Sequence, residues 1–260
     1  MDEKVTSLIG KFQRDINRLS DNDRNTRKRG LQKLLEELPW TTKSQQETLE
    51  KAVCATMISP LLVTISDTIE KCRELTLTML KNIVGVCRSI STFSDQLVFE
   101  LCNRISDVPF AEPSEELRLQ IVLLLGDIIK HPSVVSHKDA SKIFHPIMGA
   151  LNKALTDSFP SVKKELADLI SLISKISDVC VKSSCKYFIK NLTSNALHQH
   201  SKVRTATLKA IGNCLACASA EDYNLCMKEH VLALVVKEVA DRTAGKIIAT
   251  FISSVQHELS

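Results

Sequence analysis

Apolar residues in this chain recur every three or four positions, in runs of a few turns separated by short polar breaks. Five of these runs repeat one pattern: "NTRKRGLQKLL", "EKCRELTLTMLK", "EELRLQIVLLLG", "PSVKKELADLIS" and "SKVRTATLKAIG". They align on one basic position, occupied by Arg27, Arg73, Arg118, Lys163 and Arg204, with steps of 46, 45, 45 and 41 residues. Four residues further on stand Leu31, Leu77, Val122, Ala167 and Leu208, and seven further on Leu34, Leu80, Leu125, Ile170 and Ile211. Those offsets place two apolar side chains one turn apart on the same face of a helix. Six residues before the basic position come Asp21, Asp67, Glu112, Asp157 and His198, four of them acids. An acid just ahead of a helix faces the positive end of the helix dipole, and that is the role the spacing predicts for it.

Each run follows a second amphipathic stretch: "KVTSLIGKFQRDINRL", "QETLEKAVCATMISPLLVTI", "DQLVFELCNRI", "SKIFHPIMGALNKAL" and "CKYFIKNLTSNAL". The unit is therefore helix, short turn, helix. Helix-pair units of roughly 40–47 residues belong to the HEAT and armadillo class. The predicted fold is all-α, a HEAT-repeat α-solenoid built as a right-handed superhelical stack of antiparallel helix pairs. We expect a single solenoid over residues 1–260. Its repeats fall near 2–39, 42–88, 91–131, 138–176 and 178–218, with a degenerate sixth at 220–258. One helix pair cannot bury its own apolar stripe. Stacking a neighbour does so, at about 1.5–3 kcal/mol for each Leu or Ile covered. Pro113 and Pro160 are expected in the first turn of second helices, where the missing N–H costs nothing. Pro60 and Pro146 fall late or midway in first helices and are expected to bend them. In the last unit Ile247, Ile248, Phe251 and Ile252 are expected to leave an apolar edge in place of a polar cap, as in a fragment of a longer solenoid or a chain with an altered end.

Composition supports helices. Seven glycines, one Trp, two Tyr and eight Phe in 260 residues are few for a sheet protein. A net charge of +4 is too mild for a nucleic-acid surface, so no nucleic acid is expected as partner. The opening "MDEKVTSLIGKF" lacks the basic start and apolar run of a secretory signal. The longest strongly apolar run, Ile121 to Leu125, is far short of the about 20 residues of a membrane span. A cytoplasmic protein without a membrane partner is expected. Nine cysteines, an odd number, then read as small buried hydrophobes in a reducing compartment. The sequon at Asn191 carries no glycan there.

Candidate chemistry is thin. Cys214 and Cys217 form a CxxC, but no second pair stands at zinc-ribbon spacing and no strand precedes the helix. Packing is the expected role, against the alternative of a metal or redox site. "TAGKI" at Thr243 to Ile247 lacks the earlier Gly and the following Ser or Thr of a phosphate loop. His198 and His200 have no neighbouring carboxylate or Cys and read as a polar turn between helices. Glu115 and Glu116 open a helix, where the dipole accounts for them. Arg24, Arg27, Lys28 and Arg29 form a basic block that reads as a solvated helix start, the alternatives being a weak nuclear signal or an anion patch. Trp40 is expected to anchor a turn against the stack, the alternative being an exposed binding hot spot. No catalytic, cofactor-binding or metal residue is assigned, and no cofactor or small-molecule substrate is expected.

Several phrases go beyond generic repeat character. Cys72–Arg73, Glu116 to Gly126, Asp157 to Glu165 and Leu197 to Arg204 follow one another in the order found in the N-terminal repeats of the dynein axonemal assembly factor 5 family, also called HEAT-repeat-containing protein 2. "HQHSKVR" is the most specific of them. The resemblance covers most of residues 20 to 215 and fades after Asp241. It implies a cytoplasmic, non-enzymatic factor that helps preassemble dynein arms for cilia or flagella. Its implied partners are dynein chains, other dynein assembly factors and chaperones. The residues alone also fit a generic adaptor, such as a nuclear transport or phosphatase scaffold. The positive charge speaks against transport, whose solenoids are acidic to receive basic cargo.

Overall fold

The computed structural model describes residues 2–135, 140–177, 181–232 and 234, and every described element is helical. Helix α1 (Glu3–Arg18) starts at Asp2, whose carboxylate accepts the Lys4 N–H at 3.1 Å, and buries Val5, Ile9, Phe12 and Ile16 on one face. Helix α2 (Arg24–Glu37) is capped by Asp23, which takes both the amide and the hydroxyl of Thr26. The two helices cross at Gly30. A Cβ built there would lie 2.9 Å from the Asp15 carbonyl and 2.9 Å from the Arg18 Cβ. Gly30→Ala gains up to about 1 kcal/mol in helix propensity but costs about 1–3 kcal/mol by forcing α1 away. Thermal melting should therefore show a loss. Gly85→Ala, with nothing within 4 Å of the added carbon, should show a gain.

The first helix of the second repeat is broken. Helix α3 (Gln46–Ala52) passes through a π-helical turn at Val53–Met57 into α4 (Ile58–Thr64). Pro60 has no N–H for the Thr56 carbonyl, and the wider turn just upstream absorbs the misfit. The bend expected at Pro60 takes this form. Next come α5 (Glu70–Val86), α6 (Ser94–Ile105), α7 (Glu115–Lys130) and the short α8 (Pro132–Val135). They are followed by α9 (Ala140–Ala154), which continues through Pro146, and α10 (Pro160–Ile176), whose first residue is the proline. Pro113 differs from expectation. It precedes the N-cap Ser114 and lies outside α7, because the Glu112 side chain holds the Ser114 amide in a turn. The series closes with α11 (Cys185–Ala196), α12 (Ser201–Cys217) and α13 (Ala220–Cys226), which runs into a π turn at Met227–Val231.

Two compact units emerge, Met1–Arg104 with Glu112–Ile143, and Ile105–Ala111 with Phe144–Ser260. In the first unit the second helices lie side by side, α2 against α5 and α5 against α7, while α1 packs along α3. Leu31, Leu34, Leu49, Leu61, Leu80 and Leu125 are fully buried there. In the second unit α12 packs on both α10 and α11, and α11 also meets α13. Its core holds Leu166, Ile170, Phe188, Leu192 and Ile211, each without exposure. Val122, Ala167 and Leu208, from the four-residue offset, are buried as well.

Candidate protein-interaction surface

The aligned basic residues are not surface charges. Arg27 donates from Nη1 to the Asp21 carbonyl at 2.9 Å, Arg73 to Asp67 at 2.9 Å, Arg118 to Glu112 at 3.1 Å and Arg204 to His198 at 2.8 Å. Each arginine thus ties down the turn six residues before it. The remaining edge reaches forward. Arg27 donates from Nε and Nη2 to the two Asp67 oxygens at 2.6 and 2.9 Å, and Arg73 repeats this on Glu112 at 2.7 and 2.8 Å. Such two-point pairs are among the stronger hydrogen bonds available to a protein.

The acids have a second task. Asp21, Asp67, Glu112 and Asp157 each accept the N–H two residues on, at 2.8, 2.8, 3.1 and 2.8 Å. This corrects the dipole role expected from spacing, since the acids close the turn and, at Asp67 and Glu112, join one repeat to the next. Burial works to raise the Asp67 and Glu112 carboxyls. The Arg27 and Arg73 hydrogen bonds, the turn amides and the guanidinium charges outweigh it and hold both below the usual range.

In the fifth repeat His198 takes the acid's place. Its Nδ1 accepts the His200 N–H at 3.1 Å, preserving the turn without a charge. Burial, followed by the charges of His200, Lys163 and Arg204, lowers its pKa and favours the neutral ring that the bond requires. The rings of His198 and His200 stack at 5.3 Å. The expected polar turn is therefore an anchored one. Lys163 turns to Asn195 Oδ1 at 2.6 Å, and Asn195 Nδ2 donates to the Leu155 carbonyl at 3.0 Å.

The other candidates resolve plainly. Cys214 is fully buried, and its carbonyl receives the Cys185 Sγ–H at 3.1 Å, while Cys217 points at the Ser174 carbonyl at 3.7 Å. Burial pushes the Cys185 thiol up to about 12 and also raises Cys214 well above the ordinary thiol range. Buried thiols held protonated in this way are suited to packing. Among the described residues no three His, Cys, Asp or Glu side chains converge as a metal site. Trp40 donates its Nε1–H to the Leu35 carbonyl at 2.9 Å and pins the turn after α2, as expected. Arg27 is taken from the basic block by Asp67, and Arg24 and Arg29 remain exposed. The "TAGKI" segment and Ile247, Ile248, Phe251 and Ile252 lie outside the described residues.

The second helices also carry an exposed face. In the first unit it carries Lys71, Thr78 and Lys81 on α5 and Leu123 and Lys130 on α7, all exposed. Between the C-terminal ends of these helices lies a depression of about 510 Å³, lined by Lys81, Gly85, Arg88, Asp127, Lys130 and Pro132 among others. His131 supports it from below, with Nε2 3.0 Å from the Cys87 carbonyl and Nδ1 2.8 Å from the Ser133 hydroxyl. Sequence reasoning did not single out this group. Lys81, Arg88 and Lys130 stand 8, 15 and 12 residues after their repeat's basic position, so no shared offset marks them.

Paired helices that stack through a repeated arginine–acid bond define an all-α repeat solenoid of the armadillo and HEAT kind. Solved structures agree. An engineered protein matches with a TM-score of 0.67 and 16% identity over 95% of this chain and 96% of that one. A computationally designed armadillo repeat protein for modular peptide recognition matches at 0.67 and 16% over 94% and 98%, and a designed armadillo repeat protein in complex with the peptide (KR)4 at 0.63 and 17% over 94% and 99%. The family model "Dynein axonemal assembly factor 5-like, TPR repeats" matches residues 18–245, and the chain belongs to that family. Dynein axonemal assembly factor 5 of Xenopus laevis is 28% identical over 225 residues, which make up 85% of this chain and 26% of the relative. The chain thus spans about a quarter of that relative's length. The family label speaks of TPR repeats, whose unit is about 34 residues, whereas the steps of 41–46 here are those of HEAT and armadillo units. Among the described residues no helix is long and apolar enough to cross a membrane.

Proposed function

We propose that this chain is a non-enzymatic scaffold that assists cytoplasmic preassembly of axonemal dynein arms for cilia or flagella. The observation that carries the reading is the family match over residues 18–245, joined to a relative named as a dynein axonemal assembly factor. The physical support is the fold. A one-dimensional stack exposes one helix layer along its length, and a partner can grip it through a few anchor residues spread over several repeats. The designed armadillo proteins of similar fold recognise peptides, and the corresponding use here is to hold extended segments of dynein chains, fellow assembly factors or chaperones. Buried, high-pKa thiols and arginines committed to turns suit a structural role better than a catalytic one. Within this reading the whole chain is one solenoid of five helix pairs with a degenerate sixth.

The test is co-precipitation from ciliated cells with the tagged chain. Dynein heavy or intermediate chains, or other dynein assembly factors, should be enriched over a tagged, unrelated repeat solenoid. Recovery of neither above that control would remove the dynein assignment and leave only an adaptor of unspecified partner.

A further inference from the structure

The depression between α5 and α7 concentrates charge that the chain does not neutralise. Elsewhere exposed lysines are matched, as in Lys51 with Glu47, Lys71 with Glu74 and Lys153 with Asp107. Lys81, Arg88 and Lys130 differ. All three are exposed on the rim of one hollow, and among the described residues their side chains have no hydrogen bond or ion pair. Two acids on the neighbouring helix are already engaged, Glu50 by the amides of Arg88 and Ser89 and Glu47 by Lys51. Among the described residues Asp127 is the single acid on the wall.

Shape adds to charge. Gly85 has nothing within 4 Å of the place a Cβ would take, so the hollow runs down to the backbone of α5. Val84, Cys87 and Pro132 give it an apolar side. A bare anion needs no apolar wall and no space of about 510 Å³. A short stretch of polypeptide uses both, with its backbone over Gly85 and its carboxylates toward the three cations.

We propose that this depression is a docking site for an acidic, extended segment of a partner protein, held by Lys81, Arg88 and Lys130. The proposal deepens the scaffold role and rests on it only for the partner being a polypeptide.

Fluorescence anisotropy with a labelled peptide of alternating Glu and Ala, beside its Lys and Ala counterpart, tests the site directly. The intact chain should bind the acidic peptide and not the basic one. Combining Lys81→Ala, Arg88→Ala and Lys130→Ala should weaken binding about tenfold, the combined effect of three exposed charge contacts. Gly85→Leu should weaken it comparably by filling the hollow while leaving every charge in place. Its greater helix propensity keeps α5 folded, as far-ultraviolet circular dichroism would record. The control triple Lys190→Ala, Lys202→Ala and Lys209→Ala removes equal charge elsewhere and should change binding by less than about twofold. No binding, equal loss in both triples, or unchanged binding by Gly85→Leu would each overturn the site. So would displacement of the peptide by inorganic phosphate at matched ionic strength, which makes the occupant a small anion, or tighter capture of anionic lipid vesicles. These results leave the co-precipitation test unaffected, so the site and the scaffold role fail separately.

Discussion

Replacing Glu112 with alanine is expected to destabilise the first unit by about 3–5 kcal/mol, the usual consequence of removing one partner from a buried ion pair. Glu112 is 1% exposed and accepts hydrogen bonds from Arg73 Nε and Nη2, from Arg104 Nη2 and from the Ser114 amide. Alanine would leave a guanidinium only 5% exposed without its counter-ion. The double replacement Glu112→Leu with Arg73→Met should recover most of the loss, because it removes both buried charges together. Dependence on pH separates charge from packing. The folded Glu112 carboxyl lies below its ordinary value of about 4.3, so its contribution is complete above that pH and is lost as pH falls through the folded value. Urea unfolding should therefore show a wide gap between parent and Glu112→Ala at pH 7, one that narrows progressively as pH falls below about 4.3. A gap of constant size across that range would show that Glu112 acts by filling space.

In the second unit, Phe188→Ala is expected to cost about 3–5 kcal/mol, whereas Tyr187→Ala beside it should cost less than about 1 kcal/mol. Phe188 has no exposed surface and lies on α11, which packs against both α12 and α13. Its removal opens a cavity shared by three helices, and a stack held by neighbour contacts has no distant element to compensate. Tyr187 points outward at 55% exposure, with the Lys186 ammonium 5.3 Å from its ring centroid as its chief contact. Urea unfolding of the two variants measures the contrast. Similar losses from both would show that α11 is rotated from the orientation described here.

Sequence periodicity revealed the second helices well, because a covered face on both sides enforces the four- and seven-residue offsets. Leu34, Leu80, Leu125, Ile170 and Ile211 are all fully buried. It also revealed the acid and the basic residue but not the bond between them. Arg27 and Asp67 are 40 residues apart, and only stacking brings them together. The offset of six instead drew attention to residues within one turn, so the helix dipole appeared to be the explanation. The π turn at Val53–Met57 was concealed for a different reason, since Pro60 signals that a helix must yield without saying where. The cationic hollow has no periodic signature, because Lys81, Arg88 and Lys130 come from unequal offsets in two repeats and gather only when α5 and α7 lie side by side.

The forward reach of Arg27 and Arg73 constrains how such a chain can change. A partner in the following copy means that neither residue drifts freely, and a transplanted module lacking the acid strands the arginine before it. Duplication, deletion or exchange should therefore succeed when adjoining modules travel together and fail when one is moved alone. At the junction where His198 stands in the acid's place, the preceding cation is Lys163, which donates to Asn195 instead. Both sides of that seam therefore differ together from the arginine–acid pattern of the earlier ones.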